Sequence, residues 1–293
     1  MKAQIFFFVK RYLLQNNNFF RFLEKFRFDD IFGTKRFPLG GQSRKEARMA
    51  KSRYQSRTYR TRMQRAGLVG FRVVVQETDL MILAQHDLSG EVRRLIIQER
   101  QQLETYIKQF PEFLTTLTPW PPDPYAPPLV REMIQAAATA GVGPMAAVAG
   151  AIAARVGQAL APLTEEVIVE NGGDIFMHLK RPATVSLYAG RSPLSHKVGL
   201  RIQTEDHKIL GVCTSSGTVG PSLSFGRADA ACVVAADTAL ADACATALGN
   251  RVSEASAINS ALEWIGTIPG LEGAVVVVGE YLGAWGQIEL VPL

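Results

Sequence analysis

Near Leu68 the apolar residues begin to recur in patterns that specify secondary structure. "GFRVVVQETDLMILAQ" holds two β-rich runs, Phe71 to Gln76 and Asp79 to Ala84, close enough for a hairpin about Glu77 and Thr78. In "SGEVRRLIIQERQQLETYIKQF", Val92, Leu95, Ile96, Leu103, Tyr106 and Ile107 fall close to a helical period, and Pro111 stops it. Residues 119–128, "PWPPDPYAPP", are too rich in proline for helix or strand and read as a stiff connection, whose last prolines suit a helix start. A helix from Leu129 to Ala140 ends at Gly141; Gly141, Gly143 and Pro144 form a turn, and an alanine-rich helix runs from Met145 to Leu160.

The second half alternates differently. Val167, Ile168 and Val169 form a buried-type strand, Glu170 to Asp174 a polar corner, and Ile175 to Leu179 the way out. Strand-like runs continue at Thr184 to Tyr188, Val198 to Gln203, Ile209 to Thr214 and Ala228 to Ala235. Asp237 is placed to cap the helix "TALADACATALGN", which Gly249 or Asn250 closes. A helix around Glu254 to Ile265 and a closing hairpin, "GAVVVVGEYLGAWGQIELV", complete the chain. Helices and strands mix without strict β-α-β alternation, which predicts an α+β fold of mixed sheets packed with helices in one large domain.

Composition is that of a globular chain: 293 residues, 47% hydrophobic and 20% charged, enough to bury a sizeable core. The net charge of +5 hides an asymmetry. Residues 1–65 carry 17 Lys/Arg against four Asp/Glu, a net of +13, and the remainder carries 15 against 23, a net of −8. In the leading segment the apolar run Phe6 to Val9 is broken at Lys10 and Arg11, too short for a signal-peptide core or a membrane span. Basic and aromatic residues interleave there as they do in segments that bind RNA or anionic lipid, but a charge run specifies neither. It reads as an unstructured extension, with Met49 a natural alternative start and neither nucleic acid nor membrane as partner. Cys213, Cys232 and Cys244 show no ligand spacing and are odd in number, so neither a disulfide framework nor a zinc site is indicated, which suits a cytoplasmic protein.

The candidate chemistry is concentrated in four places. Small residues at Ala146, Ala147, Ala149 and Gly150 let a backbone or a flat ligand approach the start of the alanine-rich helix, where free amides and the helix dipole suit phosphate. No G-K-[ST] follows, so this is not a Walker loop. The corner Glu170-Asn171-Gly172-Gly173-Asp174 carries more hydrogen-bonding side chains than a Gly-Gly hairpin needs. "GVCTSSGTVG" gathers hydroxyls and glycines, with Cys213 as a candidate nucleophile for a thiol hydrolase, against a simple buried cysteine. Asp242 and Thr246, four apart on one helical face, offer hard oxygen ligands suited to Mg²⁺. A serine-hydrolase elbow is missing, and the four histidines form no triad pattern.

Taken in order, Gly143 to Gly150, Gly172-Gly173-Asp174, Ser215-Ser216-Gly217 and Ala241-Asp242-Ala243 through Thr246-Ala247 resemble ApbE, the family of FAD:protein FMN transferases. "ETDL", "GVGPMAAVAGAIA", "VENGGDI", "CTSSGTVG" and "SFGRADA" are similar to an uncharacterised ApbE-like subfamily, over a domain of residues 59–293 that leaves 1–58 uncovered. The resemblance implies FAD or a related phosphorylated cofactor in a cleft with Mg²⁺ at its pyrophosphate, and FMN transfer to an acceptor protein. It implies Asp242 and Thr246 as metal ligands with the Met145 carbonyl, and Gly143, Asn171, Gly172, Gly173, Asp174, Thr214 and Gly217 about the cofactor. Ser215 and Ser216 stand at the chemistry. The transferases continue their glycine turn with K-G-Y-A-x-D and carry an H-x-x-D-P element; here Ala146 to Ala149 and the region of Pro221 and Ser222 replace them. A non-catalytic flavin or pterin carrier, or a fold-only relative acting through protein partners, are the alternatives.

Overall fold

Two-residue alternation decides which face of the main sheet each side chain meets, and both faces are covered. The computed structural model describes residue 60 and residues 63–203, 209–218 and 226–293. The extension expected over residues 1–58, and Pro221 and Ser222, lie outside the described residues. The described elements run β1 (Val69–Val75), β2 (Thr78–Ala84), α1 (Ser89–Gln109), α2 (Pro128–Ala140), α3 (Val148–Leu160), β3 (Val167–Asn171), β4 (Asp174–His178), β5 (Ala183–Ser186) and β6 (Val198–Ile202). They continue with β7 (Ile209–Ser215), β8 (Ala230–Ala235), α4 (Thr238–Arg251), α5 (Ile258–Ile265), β9 (Leu271–Val278), β10 (Tyr281–Gly286) and β11 (Glu289–Pro292).

Eight strands form an antiparallel sheet in the order β1-β2-β3-β4-β7-β8-β9-β10, and three form a second sheet, β11-β6-β5. Val73, Val169, Phe176, Val233 and Val276 point to the helices and pack there with Val92, Met133, Val156 and Leu248. Their neighbours Ile168, Met177, Val234, Val275 and Val277 point the other way, onto Leu187, Leu200 and Ile202 around the small sheet. That double burial explains why β9 reads as an unbroken valine run. The architecture is α+β, helices on one face of the large sheet and the small sheet on the other.

Helix α4 lies deepest, in contact with α2, α3, β7 and β8. Alanines at 239, 241, 243, 245 and 247 are buried on every side, as expected of a helix with no solvent face. Asp237 caps it, its Oδ1 accepting the Leu240 amide at 3.1 Å. The stretch Pro144–Leu163 is long and apolar enough by composition to cross a membrane, yet α3 within it is packed against α4, β3 and β4.

Boundaries depart from expectation where tertiary contacts take over. The alanine-rich helix opens with a 3-10 turn, Pro144–Ala147, before α3 begins. Likewise a 3-10 turn, Ala255–Ala257, precedes α5. Neither Gly249 nor Asn250 closes α4, which continues to Arg251 because that guanidinium bonds the Ala247 carbonyl and lies over the Trp264 ring. The closing hairpin is β9 with β10 only; β11 turns away at Gly286 to pair with β6. The polar corner narrows to a two-residue turn, since Glu170, Asn171 and Asp174 belong to the strands.

One end of the sheet is fastened by charge. Burial would raise the Glu166 carboxyl, but hydrogen bonds from Arg65 and Arg181 and the Lys180 amide bring it down from 4.5 to about 2. A folded-state value below the unfolded one stabilises the fold above about pH 4.5, and that contribution fades as pH falls towards 2. Glu166→Gln is therefore expected to cost on the order of 2 kcal/mol at neutral pH. Urea titrations of the two proteins should converge as pH drops through that window.

Candidate functional site

The Gly172–Gly173 turn fixes one wall of the site. Both glycines have positive φ, 73° and 109°, as a two-residue type I′ hairpin requires. The turn sets Asn171 opposite Asp174 in the ladder, and Asp174 is in turn opposite Cys213 on β7. Cross-strand partners share a face, so these three side chains look toward the helices. There Asn171 Nδ2 donates to the Ala149 carbonyl of α3 at 3.1 Å.

The opposite wall is α4. Asp242 Oδ2 accepts the Gly150 amide at 2.8 Å, and the Ala149 amide also hydrogen-bonds this carboxyl. Asp242 thus caps the first turn of α3 from a different helix, satisfying amides that have no partner within their own helix. The two helices come this close because residue 150 is glycine: a Cβ there would sit 2.5 Å from the Thr238 carbonyl oxygen and 2.7 Å from Asp242 Cβ. The small residues noted at this helix start serve backbone contact first.

Two carboxyls are therefore buried on the two walls, Asp174 on β4 and Asp242 on α4, each 8% exposed. Burial pushes Asp242 up to about 7 against the pull of the Gly150 and Ala149 amides. Asp174 is raised well above its ordinary value by burial and then by the charge of Asp242; the Cys213 thiol and Thr214 amide offset this in part, while Glu170 adds to it. When ionised, carboxylate oxygens of this kind are hard donors of the type a divalent cation such as Mg²⁺ takes. Thr246 stands one turn beyond Asp242, half-buried. The 3-10 turn that carries Met145 packs on α4, and its Met145 carbonyl accepts the Val148 amide. Among the described residues no group of three or more His, Cys, Asp or Glu is placed to hold a metal, so the expected set of Asp242, Thr246 and a carbonyl has a single carboxylate.

The remaining expected positions divide. Ser215 shares the helix-facing side with Cys213, whereas Thr214 points to the opposite face, toward Cys232, and contributes only its amide to Asp174. Ser216 Oγ lies 3.3 Å from Thr218 Oγ1 and accepts the Thr218 amide at 3.1 Å, and Thr218 passes the chain of bonds to Asp229. Gly143 and Gly217 have packing reasons of their own, since a Cβ would fall 2.0 Å from the Thr116 carbonyl oxygen and 2.2 Å from that of Gly226. Cys213 does not suit a nucleophile. It is fully buried, its Sγ 3.4 Å from the Thr238 carbonyl, and its thiol is pushed well up by burial, then by Asp174 and Asp242. All three cysteines are free and buried.

Sequence reasoning missed Arg60, a 9%-exposed guanidinium bonded to Glu170 and Asp79 on the reverse face of the sheet. In "YRTRMQRAG" its charge looks like every other in the basic run, and only a buried acid in each of two strands, Asp79 and Glu170, could have pointed to it.

The family described as AbpE bacteria matches residues 60–263. A UPF0280 protein of Methanosarcina acetivorans is 44% identical over 217 residues, 73% of this chain and 85% of the relative. Another, of Methanocella arvoryzae, is 42% identical over 215 residues, 73% and 87%. In fold the chain is similar to the flavinyl transferase ApbE of Pseudomonas stutzeri in its apo form, with a TM-score of 0.50 at 16% identity over 75% of this chain and 95% of that one. It is similar also to the flavin transferase ApbE from Vibrio cholerae, with a TM-score of 0.51 at 14% identity over 75% and 97%. At these identities the likeness is one of fold.

Proposed function

This chain belongs to the family described as AbpE bacteria, together with the UPF0280 proteins, and on that premise we propose that it binds FAD or a related phosphorylated flavin with Mg²⁺ and cleaves or transfers across the pyrophosphate. The observation that carries this reading is geometric: the buried Asp242 carboxyl accepts the Gly150 amide at 2.8 Å at the first turn of α3, and Asn171, beside the Gly172–Gly173 turn and the buried Asp174, donates to the Ala149 carbonyl of the same turn at 3.1 Å. Mg²⁺ would bind the ionised Asp242 carboxylate and neutralise the pyrophosphate. Asp242 and Thr246 would hold the ion with the Met145 carbonyl, and Asn171 to Asp174 would line the cleft.

In the transfer, an acceptor hydroxyl oxygen bonds to the phosphorus on the FMN side, the P–O–P bridge breaks, AMP leaves, and the hydroxyl proton passes to solvent or to AMP. Water in place of the acceptor gives free FMN and AMP. The attacking oxygen in this reading is that of the acceptor or of water; Cys213 is sealed in the core, and Ser216 Oγ already accepts the Thr218 amide. That same commitment favours one second reading, a non-catalytic flavin or pterin carrier. Ser215 and Ser216 then only contact the ligand.

Titrating the full chain with FAD, FMN and a pterin, each with and without Mg²⁺, while melting temperature and flavin fluorescence are followed, tests the reading. FAD is expected to raise the melting temperature by several degrees, and Mg²⁺ to strengthen its binding at least tenfold. A shift with none of the three ligands would leave a protein acting through partners alone.

A further inference from the structure

On the face of the large sheet away from the helices, a chain of charged hydrogen bonds ends on the Gly172–Gly173 turn. Arg60 Nε donates to Glu170 Oε2 at 2.6 Å, its Nη1 to Asp79 Oδ1 at 2.7 Å, and its Nη2 to the Asp79 carbonyl at 2.7 Å. Arg72 meets the same Asp79 carboxylate at 2.8 and 3.0 Å. Glu170 uses its other oxygen, Oε1, to accept the Gly173 amide at 2.9 Å. Among the described residues, Arg60 and Arg72 thereby meet Asp79 and Glu170 across β1, β2 and β3.

The turn does not need this support in order to close. Its strands are already paired at Asn171 and Asp174, and both glycines have the φ a two-residue hairpin demands. Nor is a buried ion pair a good source of stability, since desolvation offsets most of the Coulomb gain. What the network adds is position. Asn171 pulls the turn onto α3 from the front, and Glu170 holds its backbone from behind. We propose that Arg60 and Glu170 are positioning residues of the candidate site, fixing the Gly172–Gly173 turn from the reverse face of the sheet so that Asn171 and Asp174 stand in register with α3 and α4. The ligand used to read this out, FAD, rests on the function proposed above.

The full chain with Arg60→Met and Glu170→Met combined removes the tether and leaves no unpaired charge between these two, so the urea midpoint should move little. Amide hydrogen exchange at Gly173 is expected to speed up more than tenfold, and affinity for FAD with Mg²⁺ to fall about tenfold. Arg60→Lys, which keeps the charge but not the forked geometry, should lie between. Should the double variant fail to fold, Arg60→Lys alone carries the same two readouts with the same expected directions. A folded variant whose Gly173 amide remains as protected as in the original protein, with unchanged FAD affinity, would overturn the proposal. If the original protein binds no FAD, the flavin reading fails by itself, and Gly173 exchange still decides whether Arg60 and Glu170 hold the turn.

Discussion

Gly150→Ala is expected to destabilise the protein by about 2 kcal/mol or more and to open the gap between α3 and α4. In an ordinary exposed helix the same change stabilises by roughly 1 kcal/mol, because alanine restricts the unfolded chain and favours helix. Here the new methyl would lie 2.5 Å from the Thr238 carbonyl oxygen, part of a backbone that is itself locked in α4. It cannot rotate away, so one helix must move. Movement lengthens the 2.8 Å bond from the Gly150 amide to Asp242, so the stability loss and the disturbance of the candidate site arise together. Gly90, near the start of α1, has nothing within 4 Å of its Cβ position and serves as the control. Gly90→Ala should be neutral or mildly stabilising. Urea denaturation of the two variants measures the contrast.

Asp242→Asn separates two roles that one carboxyl combines. The asparagine side-chain oxygen can still accept the Gly150 and Ala149 amides, so the first turn of α3 stays capped. Its charge is gone. With a neutral ligand the Mg²⁺-dependent part of FAD affinity should fall more than tenfold, about 1.4 kcal/mol or more, while the melting temperature stays within a few degrees. Asp242→Ala removes the acceptor as well and should add the loss of a cap, about 1 kcal/mol. Measuring Mg²⁺-dependent FAD binding and thermal unfolding side by side on both variants distinguishes a carboxyl kept for cation binding from one kept only to cap a helix.

What could be read in the sequence was mostly what local chemistry decides. The β1–β2 hairpin, the α1 stripe of Val92, Ile96, Leu103 and Tyr106, the Gly141 stop, the Asp237 cap and the Gly-Gly turn rest on periodicity, propensity and turn residues. Non-local partners were not legible. β11 carries a strand pattern that fits pairing with β10 as well as with β6, and only the packing of two sheets decides between them. Arg251 extends α4 because Trp264, far along the chain, lies beneath it.

The candidate site divides in the same way. Asp242 and the Glu170-to-Asp174 corner stood out as polar residues among apolar ones, and the fold bonds both Asp242 and Asn171 to the first turn of α3. The glycines near them were ambiguous, since close approach to a ligand and close approach to another backbone require the same residue. Gly143, Gly150 and Gly217 all meet protein backbone. Arg60 could not be distinguished within a basic run until the structure set it against Glu170 and Asp79.

The most direct measurement incubates the full chain with FAD and Mg²⁺, beside Asp242→Asn and a sample with chelator, and follows AMP and FMN by chromatography. The expected result is AMP released in step with FMN, free or bound to an acceptor, from the original protein with Mg²⁺ alone. FAD recovered intact in all three samples, with no Mg²⁺-dependent binding, would contradict the assignment of Asp242 and its neighbours to a flavin pyrophosphate.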